Sequence, residues 1–554
     1  MRWTLTVLGT TDLHGNVFNW DYYRDAEYDD GAHDDVGLAK VASVVGAVRA
    51  EREGLATLVL DAGDTIEGTL LTTFYARREP ITSTGEIHPM ARAMNVIGYD
   101  AVTLGNHEFN YGLPLLDLWI SQLDCPALAA NAISEATGEP AYAPYLLKEV
   151  RLAENAPAFT VGILGLTNPG TAVWDRGTVA GKLRFEDMVA TAAKWVPEMR
   201  KAGADLVLVS AHGGDSGTST LGPGVPNENP TALIAQRVPG IDAILFGHAH
   251  AEVVERFHVN EHTGERVLTA EPSKFGQRVS RMDFTLRHTG GRWVVEDKCA
   301  TMINTNTVEE DPTVLDELKE QHARTVAHTT RVVATSTVEM SAAESRLRPT
   351  PILGFVHRVQ TDTVRAALAD NELPVLSVAS PFSRTARFPA GEVCVREIAG
   401  LYVYDNALEA VELTGAQVRA YLEYSARYYR THAPGAPVDP ATISVRGRPD
   451  FNYDTIDGID YDIDISRPAG ERITRLEHGG AAVAPDARFV VAVNNYRRSG
   501  GGAFPGMGGT PLYSAGREIR ELLIDWARAR GTIDPADFSA ANWRLVRDGV
   551  PLFA

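Results

Sequence analysis

Short apolar runs alternate with segments whose apolar positions recur at helical spacing through the first half of the chain. From Leu5 to Phe246 the runs are LTVL, TLVLD, AVTLG, ALAAN, TVGILGL, LVLVSA and AILFG. This alternation predicts βα units around a mostly parallel sheet. Val36 to Arg52 and Phe185 to Ala202 have the spacing of amphipathic helices. The segment VSRMDFTLRHTGGRWVVED then predicts a β-hairpin turning at His288 to Gly291, with antiparallel strands at the sheet edge. A polar helix over Asp311 to Val332, centred on LDELKEQHAR, predicts a connector, and the domain boundary falls near residue 335.

Beyond that point the pattern changes to helices around Ile352 to Ala369, followed by strands mixed with long polar loops. A second domain of α+β type is expected, which divides the chain into 1–310, a helical connector 311–335, and 336–554. Thr414 and Gln417 form a T-x-x-Q capping box opening a helix from Gly415 to about Tyr429. The segment GGGAFPGMGG, residues 500–509, lacks the Lys-Ser/Thr of a phosphate-cradling loop. Its glycines predict a backbone that passes close to another group.

Composition narrows the partners. The 554 residues are 44% hydrophobic and 22% charged, which is a globular composition. Lys and Arg total 52 against 72 Asp and Glu, a formal net charge of -20 that repels long nucleic acids. A small phosphate ester would therefore need local cations, either metal ions or clustered arginines. Cys125, Cys299 and Cys394 are odd in number and far apart, so they are expected to be buried free thiols, not a disulfide framework or a thiolate zinc site. No apolar stretch approaches the roughly 18 to 20 residues that span a bilayer, so no membrane partner is expected. The start, MRWTLTVLGTTDLHG, has no secretory pattern and places the chain in the cytoplasm as it reads, or outside it had an upstream signal been removed.

The chemistry is expected at the ends of the apolar runs. LTVLGTT leads to Asp12 and His14, TLVLDAG to Asp64, AVTLG to Asn106-His107-Glu108, LVLVSA to His212, and AILFG to His248 and His250. In open α/β sheets the carboxyl ends of strands share a crevice, so these five segments are expected to converge. Carboxylate, amide and imidazole without thiolate suit manganese, zinc, iron or cobalt. Seven O or N donors suffice for two ions if one carboxylate bridges, and Asp64 is the candidate bridge. Two such ions, about 3.5 to 4 Å apart, activate a water and stabilise both oxygens of an in-line phosphoryl displacement.

TTDLHGN, DAGDT, GNHEF, SAHGGD and GHAH, in this order and spacing, resemble the metal-dependent phosphoesterases of the 5'-nucleotidase family. The resemblance covers nearly the whole chain. It implies a calcineurin-like four-layer α/β domain of β-sheets flanked by helices, then an α+β substrate-binding domain of the 5'-nucleotidase type. It also implies one metal ion on Asp12, His14, Asp64 and His250, and a second on Asp64, Asn106, His212 and His248. His107 would stabilise the transition state beside the phosphate, a role in which many members pair it with an Asp three residues later. Here that position is Asn110, which can orient an imidazole but offers no charge of its own.

GNHEFNYGL, LYVYDN, FNYDTIDGIDYDID and NNYRRSGGGAFP are similar to the 2',3'-cyclic-nucleotide 2'-phosphodiesterase/3'-nucleotidase branch, and Gly502 stands where 5'-nucleotidases carry an Asp. By this resemblance Tyr404 and Tyr496 sandwich a nucleobase, with Asn406 at its polar edge and Arg384 close to the ligand. Arg387, Arg497 and Arg498 are lesser candidates that also fit solvated surface charges. The expected reaction opens 2',3'-cyclic nucleotides to 3'-nucleotides and hydrolyses these to nucleoside and phosphate. A 5'-nucleotidase or nucleotide-sugar hydrolase, and a catalytically silent nucleotide-binding protein, are the alternatives.

Overall fold

The protein is described by a computed structural model covering residues 2–53, 56–219, 221–222 and 224–553. It divides into two compact units, Met1–Ala327 and His328–Ala554.

In the first unit the strands are β1 (Arg2–Thr10), β2 (Thr57–Asp61), β3 (Ala101–Thr103), β4 (Ala127–Leu128), β5 (Tyr145–Val150), β6 (Phe159–Leu166), β7 (Leu206–Ala211), β8 (Ala243–Phe246), β9 (Glu252–Val259), β10 (Arg266–Pro272), β11 (Arg278–Thr289) and β12 (Arg292–Asn304). They form two six-stranded sheets, ordered β12-β11-β1-β2-β3-β4 and β9-β10-β8-β7-β6-β5. Strands β1 to β4 run parallel, as do β6, β7, β8 and β10. Antiparallel pairs form one edge of the first sheet, at β11 and β12, and both edges of the second, at β9 and β5. All seven apolar runs are strands, but they divide between two sheets instead of building one. Their hydrophobicity is continuous because both faces are covered. Leu5, Val7, Leu58 and Leu60 of one sheet pack on Ile163, Leu206, Leu208 and Leu245 of the other.

Helices cover the outer faces. Helix α1 (Leu38–Glu51) buries Leu38, Val41, Val45 and Val48 at helical spacing, and α2 (Pro89–Ile97) packs on it. On the second sheet lie α3 (Met188–Lys201), capped by the Asp187 carboxylate on the Ala190 N–H, and α4 (Thr231–Arg237). Helix, sheet, sheet and helix are the four layers. The hairpin pairs His288 with Trp293 and Thr289 with Arg292, so its turn is Gly290-Gly291.

Helix α5 (Pro312–Thr329) ends short of the expected Val332 and packs on the first unit instead of running free. Val314 and Leu318 are buried, Gln321 donates to the Ile87 carbonyl at 2.9 Å, and the Arg324 guanidinium meets Glu79 and Glu86. Its polar sequence hid this because the contacts are themselves polar.

The second unit is built on β13 (Val375–Ala379), β14 (Ala407–Thr414), β15 (Thr455–Asp457), β16 (Arg488–Asn494) and β17 (Tyr513–Glu518), ordered β15-β13-β16-β14-β17. Successive side chains of a strand face opposite ways. Val490 and Ala492 accordingly join one core with α6 (Pro351–Ala367) and α8 (Ile519–Arg530), whereas Val491 and Val493 join another with α7 (Gly415–Ala426). The Thr414/Gln417 capping box is formed, and α7 stops at Ala426, short of Tyr429. The three cysteines are unpaired, but none is buried: Cys299 is exposed and Cys125 and Cys394 are half-buried. Cys299 lies on β12, which among the described residues is an edge strand of its sheet. Among the described residues no helix is long and apolar enough to cross a membrane.

Leu245 is 1% exposed between the two sheets of the first unit. Leu245→Ala should cost about 2–5 kcal/mol through lost burial and an incompletely collapsed cavity, seen as a lowered denaturation midpoint.

Candidate metal centre

Strands β1, β2, β3, β7 and β8 deliver their following residues to one place. Single ligand atoms of Asp12, His14 and His250 lie within 4.8 Å of one another, as do those of Asp64, His212 and His248. Asp64 Oδ2 lies 2.9 Å from His212 Nε2 and 3.9 Å from His14 Nε2, between the two clusters. Asp12, His14, Asp64, Asn106 and His212 are buried, His248 is half-buried and His250 exposed.

The donor set fits metal ions, and the evidence is in the lone pairs. His212 Nδ1 lies 2.8 Å from the Ala62 carbonyl and His14 Nδ1 3.0 Å from the Glu67 carbonyl. Each ring therefore donates through Nδ1 and presents a bare Nε2, as metal-binding histidines do. Among the described residues Asp12 Oδ1 and the side-chain oxygen of Asn106 are buried without hydrogen-bond partners, and the buried His212 Nε2 faces Asp64 Oδ2. His14 Nε2 and His250 Nε2 are 3.1 Å apart, and His250 Nε2 is 3.2 Å from Asp12 Oδ1. Electron pairs crowded this closely in a low-dielectric crevice need positive charge between them. Burial alone would depress the His212 imidazole, but Asp64 beside it outweighs that and holds it up to about 10, so the crevice favours positive charge.

The backbone pays for this convergence. Asp12, His14, Asp64, His248 and His250 all adopt left-handed φ, between 46° and 83°. Such residues cost about 1–3 kcal/mol each and persist where the surroundings over-determine them. Glycine at 247 is one determinant: a Cβ there would overlap Thr11 Oγ1 and lie 2.6 Å from Asp12 Oδ2. That carboxylate oxygen accepts from the His248 N–H at 3.0 Å and from the Thr11 hydroxyl at 2.7 Å, which leaves Oδ1 for the site.

Glu108 is another determinant, seen in the GNHEF segment but given no role by sequence. Its buried carboxylate accepts from the N–H groups of Asp64, Thr65, Ile66 and Gly105, tying the turns after β2 and β3 together.

His107 stands beside the clusters. Its backbone N–H donates to Asp64 Oδ1 at 2.7 Å, and its ring packs edge-on against His14. Nδ1 lies 2.6 Å from Asn110 Oδ1 and 3.1 Å from Glu67 Oε2. Asn110 offers no charge, but Glu67 does. Burial would raise the Glu67 carboxyl, but His107 and His14 outweigh it and hold it well below its usual range. Sequence inspection passed over Glu67 because it follows Asp64 in a turn and belongs to no spacing. A sixth segment also reaches the site: after β6, Trp174 stacks on His248 with ring centroids 5.6 Å apart. Asp175 accepts from Asn110 Nδ2 at 2.8 Å. The strand-end rule applied to TVGILGL would have pointed to this segment.

In the second unit Leu408 of β14 pairs with Asn494 of β16, so Tyr404 and Asn406, just before β14, neighbour the chain that carries Tyr496 just after β16. Tyr404 is 38% exposed, with Phe382 and Phe451 edge-on at 5.0 and 6.0 Å. The Tyr496 ring lies against Gly501, where a Cβ would come within 2.5 Å of it, so the glycine-rich loop does pass close to another group.

Two buried arginines hold these loops. Arg520 donates to the carbonyls of Tyr402 and Val403 and pairs with Asp405. Arg497 is no surface charge: it is 1% exposed, pairs with Asp454 at 2.7 Å and donates to the Phe451 and Gly501 carbonyls. Its polar sequence neighbours gave no sign of burial. Arg498 pairs with Glu409, and Arg387 is exposed. Arg384 is exposed and bound to Asp450, and the Asn406 side chain reaches the buried Tyr402 hydroxyl.

Two facing sheets with paired His/Asp clusters at their carboxyl ends define a dinuclear type of phosphoesterase centre. Residues 5–252 match the calcineurin-like phosphoesterase family and residues 332–509 the 5'-nucleotidase C-terminal domain. The chain is 31% identical over 98% of its length to the trifunctional nucleotide phosphoesterase protein YfkN of Bacillus subtilis, of which it spans 39%. It is 32% identical over 98% of its length to the 2',3'-cyclic-nucleotide 2'-phosphodiesterase/3'-nucleotidase of Salmonella typhimurium, spanning 88% of that protein. A candidate 5'-nucleotidase of Staphylococcus aureus, solved with alpha-ketoglutarate, has the same fold, with a TM-score of 0.77 at 23% identity over 98% of this chain and 99% of that one. The chain belongs to the 5'-nucleotidase family of metallophosphoesterases.

Asp64→Asn should lower bound divalent metal, measured by elemental analysis of the purified protein. It should also cut p-nitrophenyl phosphate hydrolysis by at least about 100-fold, the upper end of what losing an outer-shell partner costs. Chelation of the unaltered protein should abolish turnover, and added Mn2+ should restore it.

Proposed function

We propose that the protein hydrolyses 2',3'-cyclic nucleotides to 3'-nucleotides and these to nucleoside and phosphate, at one dinuclear centre. The observation that carries the chemistry is the double cluster of Asp12, His14 and His250 with Asp64, His212 and His248, whose lone pairs converge around Asp64. Asn106, with its unpartnered side-chain oxygen, is the seventh ligand. Two bound ions of manganese, zinc, iron or cobalt would supply a water of lowered pKa and neutralise charge on the phosphoryl oxygens.

The first hydrolysis joins a water oxygen to phosphorus and breaks the bond to O2', and the second breaks the bond to O3'. His107 faces the phosphate through Nε2 and stabilises charge that grows on its oxygens, while Asn110 and Glu67 hold Nδ1. Burial of Asp12, His14, Asp64, Asn106 and His212 limits the screening of these charges by bulk water. End-to-end similarity to bifunctional cyclic phosphodiesterase/3'-nucleotidases at 31% to 32% identity supports this substrate over a 5'-nucleotide.

The nucleobase stacks between Tyr404 and Tyr496, with Asn406 at its polar edge and Arg384 nearby. Stacking recognises a π-face that every base has, so broad base tolerance follows.

With Mn2+ and equal concentrations of 2',3'-cyclic AMP, 3'-AMP, 5'-AMP and UDP-glucose, the first two should turn over fastest. Dominant 5'-AMP or UDP-glucose hydrolysis would refute the assignment. Tyr404→Ala should raise KM for 3'-AMP roughly 5- to 150-fold, equivalent to about 1–3 kcal/mol of stacking, and leave metal content unchanged.

A further inference from the structure

The side-chain amide of Asn110 stands between two groups. Its Oδ1 is 2.6 Å from His107 Nδ1, and its Nδ2 donates to Asp175 Oδ1 at 2.8 Å. The two ends of an amide are nearly the same shape but opposite in role, one accepting and the other donating. Turned over, the amide would set an N–H against His107 Nδ1 and favour the opposite imidazole tautomer. Something must therefore hold its orientation.

We infer that Asp175 is a positioning residue for His107, acting through the amide of Asn110. An ionised carboxylate accepts hydrogen bonds and cannot donate them, so it draws the amide NH2 toward itself and turns the carbonyl toward His107. The carbonyl in turn requires hydrogen on Nδ1 and leaves Nε2 for the phosphate.

Asp175 itself is held in place. Its neighbour Trp174 stacks on His248, with ring planes 25° apart, so one short segment after β6 touches both a metal cluster and the His107 chain. The second carboxylate oxygen, Oδ2, is shut off from solvent and has no hydrogen-bond partner among the described residues. A side chain placed only for structural satisfaction would not leave that atom bare. Burial pushes the Asp175 carboxyl up to about 7 against the opposing pull of Asn110 and His107, with the Glu67 and Asp64 charges also raising it. Glu67 is the other charged group at His107 Nδ1. As a carboxylate it meets the ring N–H but does not decide which way the amide faces.

The inference rests on the assignment of His107 to the reacting phosphate, and the test separates the two. The full-length, metal-loaded protein is assayed with bis(p-nitrophenyl) phosphate and p-nitrophenyl phosphate, which do not depend on nucleotide specificity, at a pH more than one unit above the Asp175 value. Asp175→Asn offers the amide a donor as well as an acceptor, so Asn110 is free to turn. Its kcat should fall about 10- to 100-fold, with KM, metal content and denaturation midpoint unchanged. Adding Asn110→Asp to that variant should restore kcat to within about three-fold, because a carboxylate at 110 accepts from His107 and from the amide at 175 alike. A merely structural role gives no such rescue.

Unchanged kcat in Asp175→Asn, or a double variant no better than Asp175→Asn alone, would overturn the inference. His107→Ala makes the distinction: if it lowers kcat while Asp175→Asn does not, only the role of Asp175 fails. If His107→Ala also has no effect, the assignment of His107 fails with it.

Discussion

Electron pairs of the same kind repel, and the first unit crowds seven of their carriers into one crevice. His212 Nε2 and Asp64 Oδ2 are 2.9 Å apart, and the Nε2 atoms of His14 and His250 are 3.1 Å apart. That arrangement suits cations bound among them, and much of the surrounding structure serves to enforce it. Outward-facing N–H groups of His14 and His212 are tied to main-chain carbonyls, so the rings cannot swing away to satisfy themselves elsewhere. Five of the seven residues stay in left-handed backbone. A net charge of -20 and a site for phosphate are compatible because metal ions held by the ligand set would bring the positive charge, in place of surface lysines or arginines.

Holding such a site requires the turns after several strands to be rigid relative to one another. Glu108 does this between the turns after β2 and β3, accepting four main-chain N–H groups with one buried carboxylate. Gly247 lets the turn after β8 press against Asp12. The facing sheets complete the arrangement through a shared core of aliphatic residues. The second unit repeats the device with cations: Arg497 and Arg520, both buried, hold the loops of Tyr496 and Tyr404 through carbonyls and carboxylates. A guanidinium with five donors can bind carbonyls and a carboxylate at once.

Much of this was legible in the chain. The seven apolar runs, the helix read over Phe185 to Ala202 and found at Met188–Lys201, the hairpin turning within His288 to Gly291 and the Thr414/Gln417 cap are local features, and local periodicity carries them. The convergence of the metal-ligand candidates was legible for a topological reason, since parallel strands all present their carboxyl ends to the same side. Glu67, Trp174 and Asp175 escaped because their roles come from turns with no repeating spacing. Asn110 looked like a lost charge when read as a single position, and only its contacts show a carboxylate on either side of the His107 network. Arg497 looked like surface because its burial depends on Asp454, 43 residues away.

Element type and the identity of the metal-ligand candidates follow from the order of residues, because strand hydrophobicity and strand-end position are properties of short segments. Whether the strands make one sheet or two, which atoms of the ligands lack partners, which backbones bear the strain and which arginines go inside were decided only by folding. Each of these depends on a contact between residues far apart in the chain, and no local pattern encodes such a contact.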